Sequence, residues 1–202
     1  DPAVLLVHVT PFNALMWDAG RTPTRVIEHG VKLLAEARYH GDLERGIAVV
    51  NNIDQRGRRL GFDVYREISA TLPIELVGMG SERAGGMGEV SNELLPELMA
   101  AHRFFSNPIR YTSLGLAVIE AMMVGLPIVG LATTEMVTVI RNGKQGFVDT
   151  RPARLAQCMR LLLHDHALAH ELGAAARCLA LERFGIGRFV EDWQAALRSV
   201  AA

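Results

Sequence analysis

Short apolar runs alternate with segments of helical periodicity through most of this 202-residue chain, and this alternation limits the fold more than any other feature. Strand-like runs lie at residues 47–50, 74–78, 103–106, 127–131 and 146–148, and helical patterns lie between them at 62–70, 94–102, 116–124 and 136–140. Apolar strands that alternate with helices are typical of a parallel sheet covered on both faces. We therefore predict an α/β fold with a mostly parallel sheet of five or more strands and a helical C-terminal tail.

The first residues differ from this alternation. Residues 5–9 have a strand pattern, residues 11–18 have a helical pattern, and residues 21–25 form a proline-containing linker pattern. Because a lone strand cannot form a sheet, residues 1–25 are expected to be the remnant of another domain together with a linker. The chain is then expected to begin in mid-protein.

The predicted sheet domain covers residues 26–185. From residue 153 onward the pattern is helical, and it breaks near Gly185. Beyond this break, residues 186–202 carry an apolar stripe at helical spacing, which predicts a separate C-terminal helix.

The charge balance limits the classes of ligand. Lysine and arginine total 21 and aspartate and glutamate total 22, which leaves a net charge of −1. A nucleic-acid binder needs a basic excess to displace counterions from phosphates, so no nucleic-acid partner is expected. The two cysteines, Cys158 and Cys178, lie in one helical stretch without C-x-x-C spacing. This pattern predicts neither a zinc site nor a disulfide framework, and it favours a reducing compartment.

Three loops of the predicted sheet carry residues suited to an anion. In an open parallel sheet, ligands bind beyond the carboxyl ends of the strands, which is where all three loops lie. The first loop, residues 51–61, places Arg56, Arg58 and Arg59 beside glycines. Either their forked guanidinium groups hold phosphate oxygens, or the loop is a solvated basic segment.

The second and third loops bring glycines and hydroxyl side chains to the same edge. Gly78 and Gly80 directly follow a strand run, where a glycine lets the backbone approach a ligand closely. The third loop, residues 107–116, leads into an apolar helix and is the stronger signal. Thr112 or Ser113 is expected to cap that helix, because hydroxyl side chains accept hydrogen bonds from the first helical amides.

The start of this helix predicts a diphosphate site. The first free N–H groups are expected at Gly115, Leu116 and Ala117, where the helix dipole is positive. Glu120 lies about one turn further along a helix that is otherwise apolar. An isolated carboxylate is costly there, so either a basic residue such as Arg110 neutralises it or it accepts hydrogen bonds from ligand hydroxyls. The sequence leaves both alternatives open.

The order of four motifs resembles one enzyme family. Residues 112–127 contain Gly-Leu-x-x-x-Glu-Ala-Met-x-x-Gly-Leu-Pro, which is similar to the donor-site signature of retaining GT-B glycosyltransferases of the family 4 type. Residues 26–31, 76–80 and 142–147 resemble further motifs of that family, so the likeness covers roughly residues 24–150. The resemblance implies a Rossmann-like half of a GT-B fold, namely the C-terminal domain that binds the nucleotide sugar. The terminal helix would then pack back toward the N-terminal domain.

The resemblance also implies residue roles. Glu120 matches the glutamate that binds the donor ribose, and the amides near Gly115 and Leu116 match the diphosphate contacts. Thr112 stands where the family has a glutamate that contacts the transferred sugar, and Thr138 replaces a further family glutamate. Leu60 occupies the usual lysine position, so the arginines of the first loop would substitute for it. The candidate catalytic residues are Thr112, Glu120 and Arg56, and the candidate substrate-binding residues are Arg58, Arg59, Gly78, Gly80, Arg110, Ser113, Gly115, Leu116 and Glu120.

The implied function is transfer of a hexosyl unit from a nucleoside-diphosphate sugar, with retention, in cytoplasmic polysaccharide biosynthesis. No Asp-x-Asp motif is present, and neither a metal nor a cofactor is expected. A saccharide or lipid-linked acceptor would be bound by the N-terminal domain, so the chain alone is expected to be inactive. The cytoplasm and the inner face of the membrane are alternative locations. The alternative functions are a non-catalytic nucleotide-sugar-binding module and a GT-B-like sugar-nucleotide epimerase.

Overall fold

The computed structural model describes residues 4–33 and 36–201. The strands in these ranges are β1 (Leu6–His8), β2 (Thr24–Val26), β3 (Leu43–Val49), β4 (Ile74–Val77), β5 (His102–Asn107), β6 (Ile128–Leu131) and β7 (Gly146–Asp149). The helices are α1 (Pro11–Met16), α2 (Ile53–Arg56), α3 (Phe62–Ser69), α4 (Leu95–Ala101), α5 (Leu116–Val124), α6 (Met136–Val139), α7 (Pro152–His164), α8 (His166–Phe184) and α9 (Ile186–Ala201). Short 3₁₀ turns lie at Gly57–Leu60 and Ser81–Ala84.

Five strands form one sheet in the order β4-β3-β5-β6-β7, and every neighbouring pair is parallel. Within this sheet, β3 is the first strand in the sequence. The next strand, β4, lies on one side of β3, and the following strand, β5, lies on its other side. The direction of winding therefore reverses between β3 and β5. In doubly wound sheets of this kind, ligands bind beyond the carboxyl ends of the two strands at such a reversal. The predicted parallel α/β sheet is confirmed.

The core lies on both faces of this sheet. Phe104 and Phe105 are adjacent in β5 and fully buried, and they point to opposite faces because side chains alternate along a strand. Phe105 belongs to the cluster formed with α4, α5 and the C-terminal part of α8, whereas Phe104 belongs to the cluster formed with α3, α7 and the N-terminal part of α8. The predicted covering of helices on both faces is confirmed.

The structure of residues 6–27 differs from two expectations drawn from the sequence. The predicted lone strand has a partner, because Leu6–His8 pairs in parallel with Thr24–Val26, and the Ile27 amide donates to the His8 carbonyl at 2.9 Å. The predicted linker at residues 21–25 therefore contains part of a strand. All three residues of β2 are exposed, so no apolar pattern marks them in the sequence. The proposed boundary between residues 25 and 26 stays a prediction.

The C-terminal tail consists of three helices, α7, α8 and α9. Asp165 separates the first two, and its side chain accepts a hydrogen bond from the Leu168 amide at 2.8 Å. The predicted break near Gly185 is confirmed, since this residue is extended and α9 begins at the next position. Within the described ranges, no helix combines the length and apolar content that crossing a membrane requires.

Candidate functional site

A cavity of about 430 Å³ opens where β3 and β5 end, at the reversal of the sheet. Pockets of this size accommodate small-molecule ligands. Its walls come from the ends of β3, β4 and β5, the loops that follow them, the start of α4 and the first two turns of α5. The lining residues are Val49, Asn51, Val77, Gly78, Glu89, Val90, Asn92, Leu95, Phe105, Asn107, Ile109, Gly115, Leu116, Ala117, Val118 and Glu120.

The first turn of α5 presents unoccupied backbone donors to this cavity. Gly115 is the residue before the helix, and Val118 donates to its carbonyl at 3.1 Å. The amides of Gly115, Leu116 and Ala117 have no acceptor in the described part of the chain. These are the three donors that the sequence predicts. Together with the positive end of the helix dipole they form an anion-binding surface.

The expected cap of α5 by a hydroxyl side chain is wrong. Gly115 occupies the capping position, and no side chain accepts from the first turn. Thr112 and Ser113 lie further upstream and do not line the cavity. The Ser113 carbonyl instead accepts a hydrogen bond from the Thr134 hydroxyl at 3.0 Å, which holds the loop against the start of α6. The absence of a side-chain cap leaves the helix donors open to a ligand.

The three glycines among the predicted site residues differ in whether the backbone requires a glycine at their positions. A Cβ atom at Gly115 would contact only Val118, at 4.0 Å, and the φ of −69° suits any residue. The fold therefore tolerates a side chain at Gly115. Gly78 has φ of +133°, and a Cβ there would lie 2.7 Å from the Val50 carbonyl oxygen. Gly80 has φ of +72° and lies beside Arg83, outside the cavity lining. Backbone geometry requires these two glycines, whereas at Gly115 the missing side chain enlarges the cavity.

Glu120 is partly buried on α5 and borders both this cavity and a smaller neighbouring one of about 230 Å³. Burial raises the pKa of its carboxyl. No hydrogen-bond or ion-pair partner for it exists among residues 4–33 and 36–201. An unpaired carboxylate in such a setting is unfavourable without a ligand.

Arg110 does not neutralise Glu120. Its guanidinium donates two hydrogen bonds to Asp63, at 2.5 and 2.8 Å, and a third to the Arg58 carbonyl at 2.9 Å. Hydrogen bonding and charge from Arg110, with a further contribution from Arg58, lower the pKa of Asp63 to about 2. Of the two alternatives for Glu120, pairing with Arg110 is wrong.

The arginines of the first loop lie beside the cavity rather than in its wall. Arg56 ends α2, and Arg58 and Arg59 lie in the following turn, with all three side chains exposed. Arg58 pairs with Asp63 at 2.9 Å. The Arg59 carbonyl accepts from the amides of Arg110 and Tyr111, which joins this loop to the loop that precedes α5. The first loop is therefore fixed at the rim through backbone contacts.

Several polar residues in the wall are not among the predicted site residues. Asn51 lies two residues after β3, and Asn107 is the last residue of β5. The Asn51 side chain accepts a hydrogen bond from the Met79 amide at 2.9 Å. Their position at the ends of apolar strand runs is a signal that could have identified them. Glu89 and Asn92 lie in the loop after β4 and carry no motif.

The chain is similar to known glycosyltransferases in sequence. Residues 70–165 match the family described as "Glycosyl transferases group 1". A D-inositol 3-phosphate glycosyltransferase from Nocardioides sp. is 34% identical over 107 residues, which cover 48% of this chain and 23% of that protein. The sulfoquinovosyl transferase SQD2 from Arabidopsis thaliana is 31% identical over 119 residues, which cover 56% of this chain and 22% of that protein. This chain therefore matches less than a quarter of the length of either relative.

Solved structures share the fold at lower identity. Sucrose-phosphate synthase from Thermosynechococcus elongatus has a TM-score of 0.80 and 19% identity, over 98% of this chain and 58% of that one. HepE from Anabaena in complex with UDP and glucose has a TM-score of 0.78 and 17% identity, over 96% of this chain and 63% of that one. At these identities the likeness establishes the fold, which is the predicted Rossmann-like half of a GT-B architecture.

Proposed function

We propose that this chain carries a group 1 glycosyltransferase domain, and that the domain is the donor-binding half of an enzyme that transfers a sugar from a nucleoside diphosphate with retention. One observation carries the proposal. Three unoccupied amides at the start of α5 and the unpaired carboxylate of Glu120 line the same cavity. The amides suit an anion, and the carboxylate suits a group that donates hydrogen bonds.

A nucleoside diphosphate matches this pair of features in charge and spacing. Its diphosphate would accept from the amides of Gly115, Leu116 and Ala117, and its ribose hydroxyls would donate to Glu120. Glu120 follows Leu116 by four residues, which is about 6 Å along a helix. This distance is comparable with the step from a diphosphate to the ribose ring.

The diphosphate is the leaving group of the transfer. Negative charge develops on it as the sugar departs, and fixed donors stabilise that charge without reorganisation. We propose that the helix start and the exposed guanidinium of Arg56, with Arg58 and Arg59 at the rim, supply this stabilisation. The reaction would then require neither a metal nor a cofactor. UDP is the first nucleotide to test, because HepE was solved with UDP.

The active enzyme would need a second domain. GT-B sites lie between two domains, and the surface outside the sheet domain carries apolar residues suited to such a partner. Leu15, Met16 and Trp17 at the end of α1 are exposed. Along α9, Ile186, Val190, Leu197 and Val200 form an exposed stripe. We propose that this other domain binds a saccharide or lipid-linked acceptor, in the cytoplasm or at the inner face of the membrane. The chain alone would bind nucleotide without transferring sugar.

One observation favours a second candidate function. Thr112 has no carboxylate to offer a transferred sugar, although the family motif has one at that position. A non-catalytic module that binds nucleotide sugars would retain the helix donors and Glu120 while lacking such a group. Assay of a longer form that includes the second domain, with UDP- and GDP-sugars, separates the two, because transfer supports the enzyme and binding without turnover supports the module.

Calorimetric titration tests the nucleotide site directly. The wild-type chain and Glu120→Gln are titrated with UDP, GDP, ADP and pyrophosphate, and Glu171→Gln on the exposed face of α8 is the matched control. We expect Glu120→Gln to weaken the binding free energy of nucleotides by about 1.5–3 kcal/mol, as for the loss of a hydrogen bond to a charged group. Pyrophosphate binding should change little. Equal losses for both ligands would contradict a ribose role for Glu120. Absence of nucleotide binding by the wild-type chain would contradict the proposal as a whole.

A further inference from the structure

Glu135 is a fully buried carboxylate outside the cavity. It lies immediately before α6 and accepts from three groups: the Phe12 amide at 3.0 Å, the Thr138 hydroxyl, and the Arg183 guanidinium at 3.4 Å. A buried charge is stable only when it is paired and hydrogen-bonded, so these contacts hold one another in place. The Phe12 amide belongs to the first turn of α1, 123 residues away in sequence.

Arg183 extends this network to the segment that follows β2. Its Nε donates to the Glu28 carboxylate at 2.9 Å, and its Nη2 reaches both Glu28 and Glu135. Glu135 and Arg183 therefore join α1 and the segment after β2 to the sheet domain. We define residues 6–26, which contain β1, α1 and β2, as the N-terminal segment.

The residues directly before Glu135 contact the loop that precedes α5. The Thr133 hydroxyl donates to the Ile109 carbonyl at 3.2 Å, and the Thr134 hydroxyl donates to the Ser113 carbonyl at 3.0 Å. Both carbonyls belong to residues 107–115, which we define as the donor loop because it ends at the open amides of α5. Three successive residues thus link the donor loop on one side to the N-terminal segment on the other.

The middle residue of the three is strained. Thr134 has φ of +49°, in the left-handed region that β-branched residues disfavour. Strain of this kind persists only where surrounding contacts impose it, and it concentrates at functional segments. Two hydrogen bonds impose the strain here. The Thr134 hydroxyl donates to the Ser113 carbonyl of the donor loop, and the carboxylate of the neighbouring Glu135 accepts from the Phe12 amide.

We propose that Glu135 is a positioning residue that couples occupancy of the donor site to the placement of the N-terminal segment. The inference rests on the proposed nucleotide site. Nucleotide that binds the open amides fixes the donor loop, and the hydroxyls of Thr133 and Thr134 carry that constraint to Glu135 and Phe12. Coupling of this kind is reciprocal, so loosening the N-terminal segment weakens nucleotide binding by the same factor.

Amide hydrogen exchange of Phe12, followed by NMR with and without UDP, tests the coupling. In the wild-type chain we expect saturating UDP to slow Phe12 exchange about fivefold, the lower end of typical coupling. In Glu135→Ala we expect faster Phe12 exchange, no response of Phe12 to UDP, and UDP affinity reduced about three- to tenfold. Glu171→Ala is the control and should behave as wild type.

A second pair of variants tests the donor-loop side without removing a buried charge. Thr134→Ala deletes the hydroxyl and should reduce the Phe12 response, because only the Thr133 contact to the donor loop remains. Thr134→Ser keeps the hydroxyl and should retain the full response. UDP that binds the wild-type chain but leaves Phe12 exchange unchanged would overturn the coupling and leave the nucleotide site intact. The coupling would equally be overturned by a full Phe12 response in Thr134→Ala. No UDP binding by the wild-type chain would instead refute the proposed function.

Discussion

Glu120 should destabilise the chain in the absence of nucleotide. Its carboxylate is partly buried, has no partner in the described residues, and has a raised pKa because of burial. An acid whose pKa is raised on folding binds more protons in the folded state, so its unfavourable contribution grows as pH rises through the raised value. Below the ordinary value of 4.5 the contribution is absent.

The substitution Glu120→Gln should therefore stabilise the empty protein near neutral pH. We expect a gain of about 1 kcal/mol at about pH 7.5, the low end for an unsatisfied buried polar group, because the carboxylate keeps some solvent contact. The difference should close as the pH falls below about 4. Urea unfolding of wild type, Glu120→Gln and the control Glu171→Gln at both pH values measures it.

Bound nucleotide should make the wild type more stable than Glu120→Gln. At a UDP concentration of about 100 times its dissociation constant, the wild type gains about 2.7 kcal/mol. If the variant binds UDP about 1.5–3 kcal/mol more weakly, it gains only about 0.3–1.3 kcal/mol at the same concentration. The wild type then becomes the more stable protein. Equal gains with UDP, or a variant that is less stable than wild type without UDP at about pH 7.5, would refute the reasoning.

Three further predictions concern the rim, the helix start and the core. Asp63→Asn should lower the free energy of unfolding at neutral pH by about 1 kcal/mol, a small loss because the ion pair with Arg110 is partly exposed. The difference should disappear from unfolding curves as pH falls through about 2, the lowered pKa of Asp63. Gly115→Ala should leave the free energy of unfolding unchanged or raise it by up to about 1 kcal/mol, because the new methyl group would meet only Val118, at 4.0 Å. The same methyl group should weaken UDP binding in titrations at least about tenfold, because Gly115 lines the cavity. Gly173→Ala should cost about 2–3 kcal/mol by urea unfolding, since its Cβ would lie 1.9 Å from the Gly125 carbonyl oxygen.

The sequence predicts those parts of the fold that local pattern determines. Helix α5 has the bounds expected from the sequence, because an apolar run between Gly115 and Gly125 defines both ends. The strands of the large sheet are likewise marked by buried apolar runs. Glu120 stands out in the sequence because it is the one charged residue of that helix, and the structure places it in the cavity wall. Its role toward a ligand stays a prediction.

Contacts between distant segments explain what the sequence does not predict. Strand β2 is polar and exposed, and it is a strand only because β1 lies beside it. The pairing of Arg110 with Asp63 joins the loop before α5 to the first turn of α3, 47 residues away, so the sequence left Arg110 as a partner for Glu120. The capping residue of α5 is the last residue with non-helical backbone angles before the helix. Several neighbouring residues could occupy that position, and the pattern of residue types does not determine which of them does.

The site and its surroundings differ in how their polar groups are satisfied. Around the cavity, Asp63 is held by two arginines, and Glu135 accepts from three donors. Inside it, the amides that begin α5 and the carboxylate of Glu120 have no protein partner in the described chain. The open amides lie in the cavity wall and the Glu120 carboxylate is only partly buried, so both are accessible to a ligand. The proposed ligand, an anion joined to hydroxyl groups, would supply the counterpart of each, because an anion accepts from amides and hydroxyl groups donate to a carboxylate.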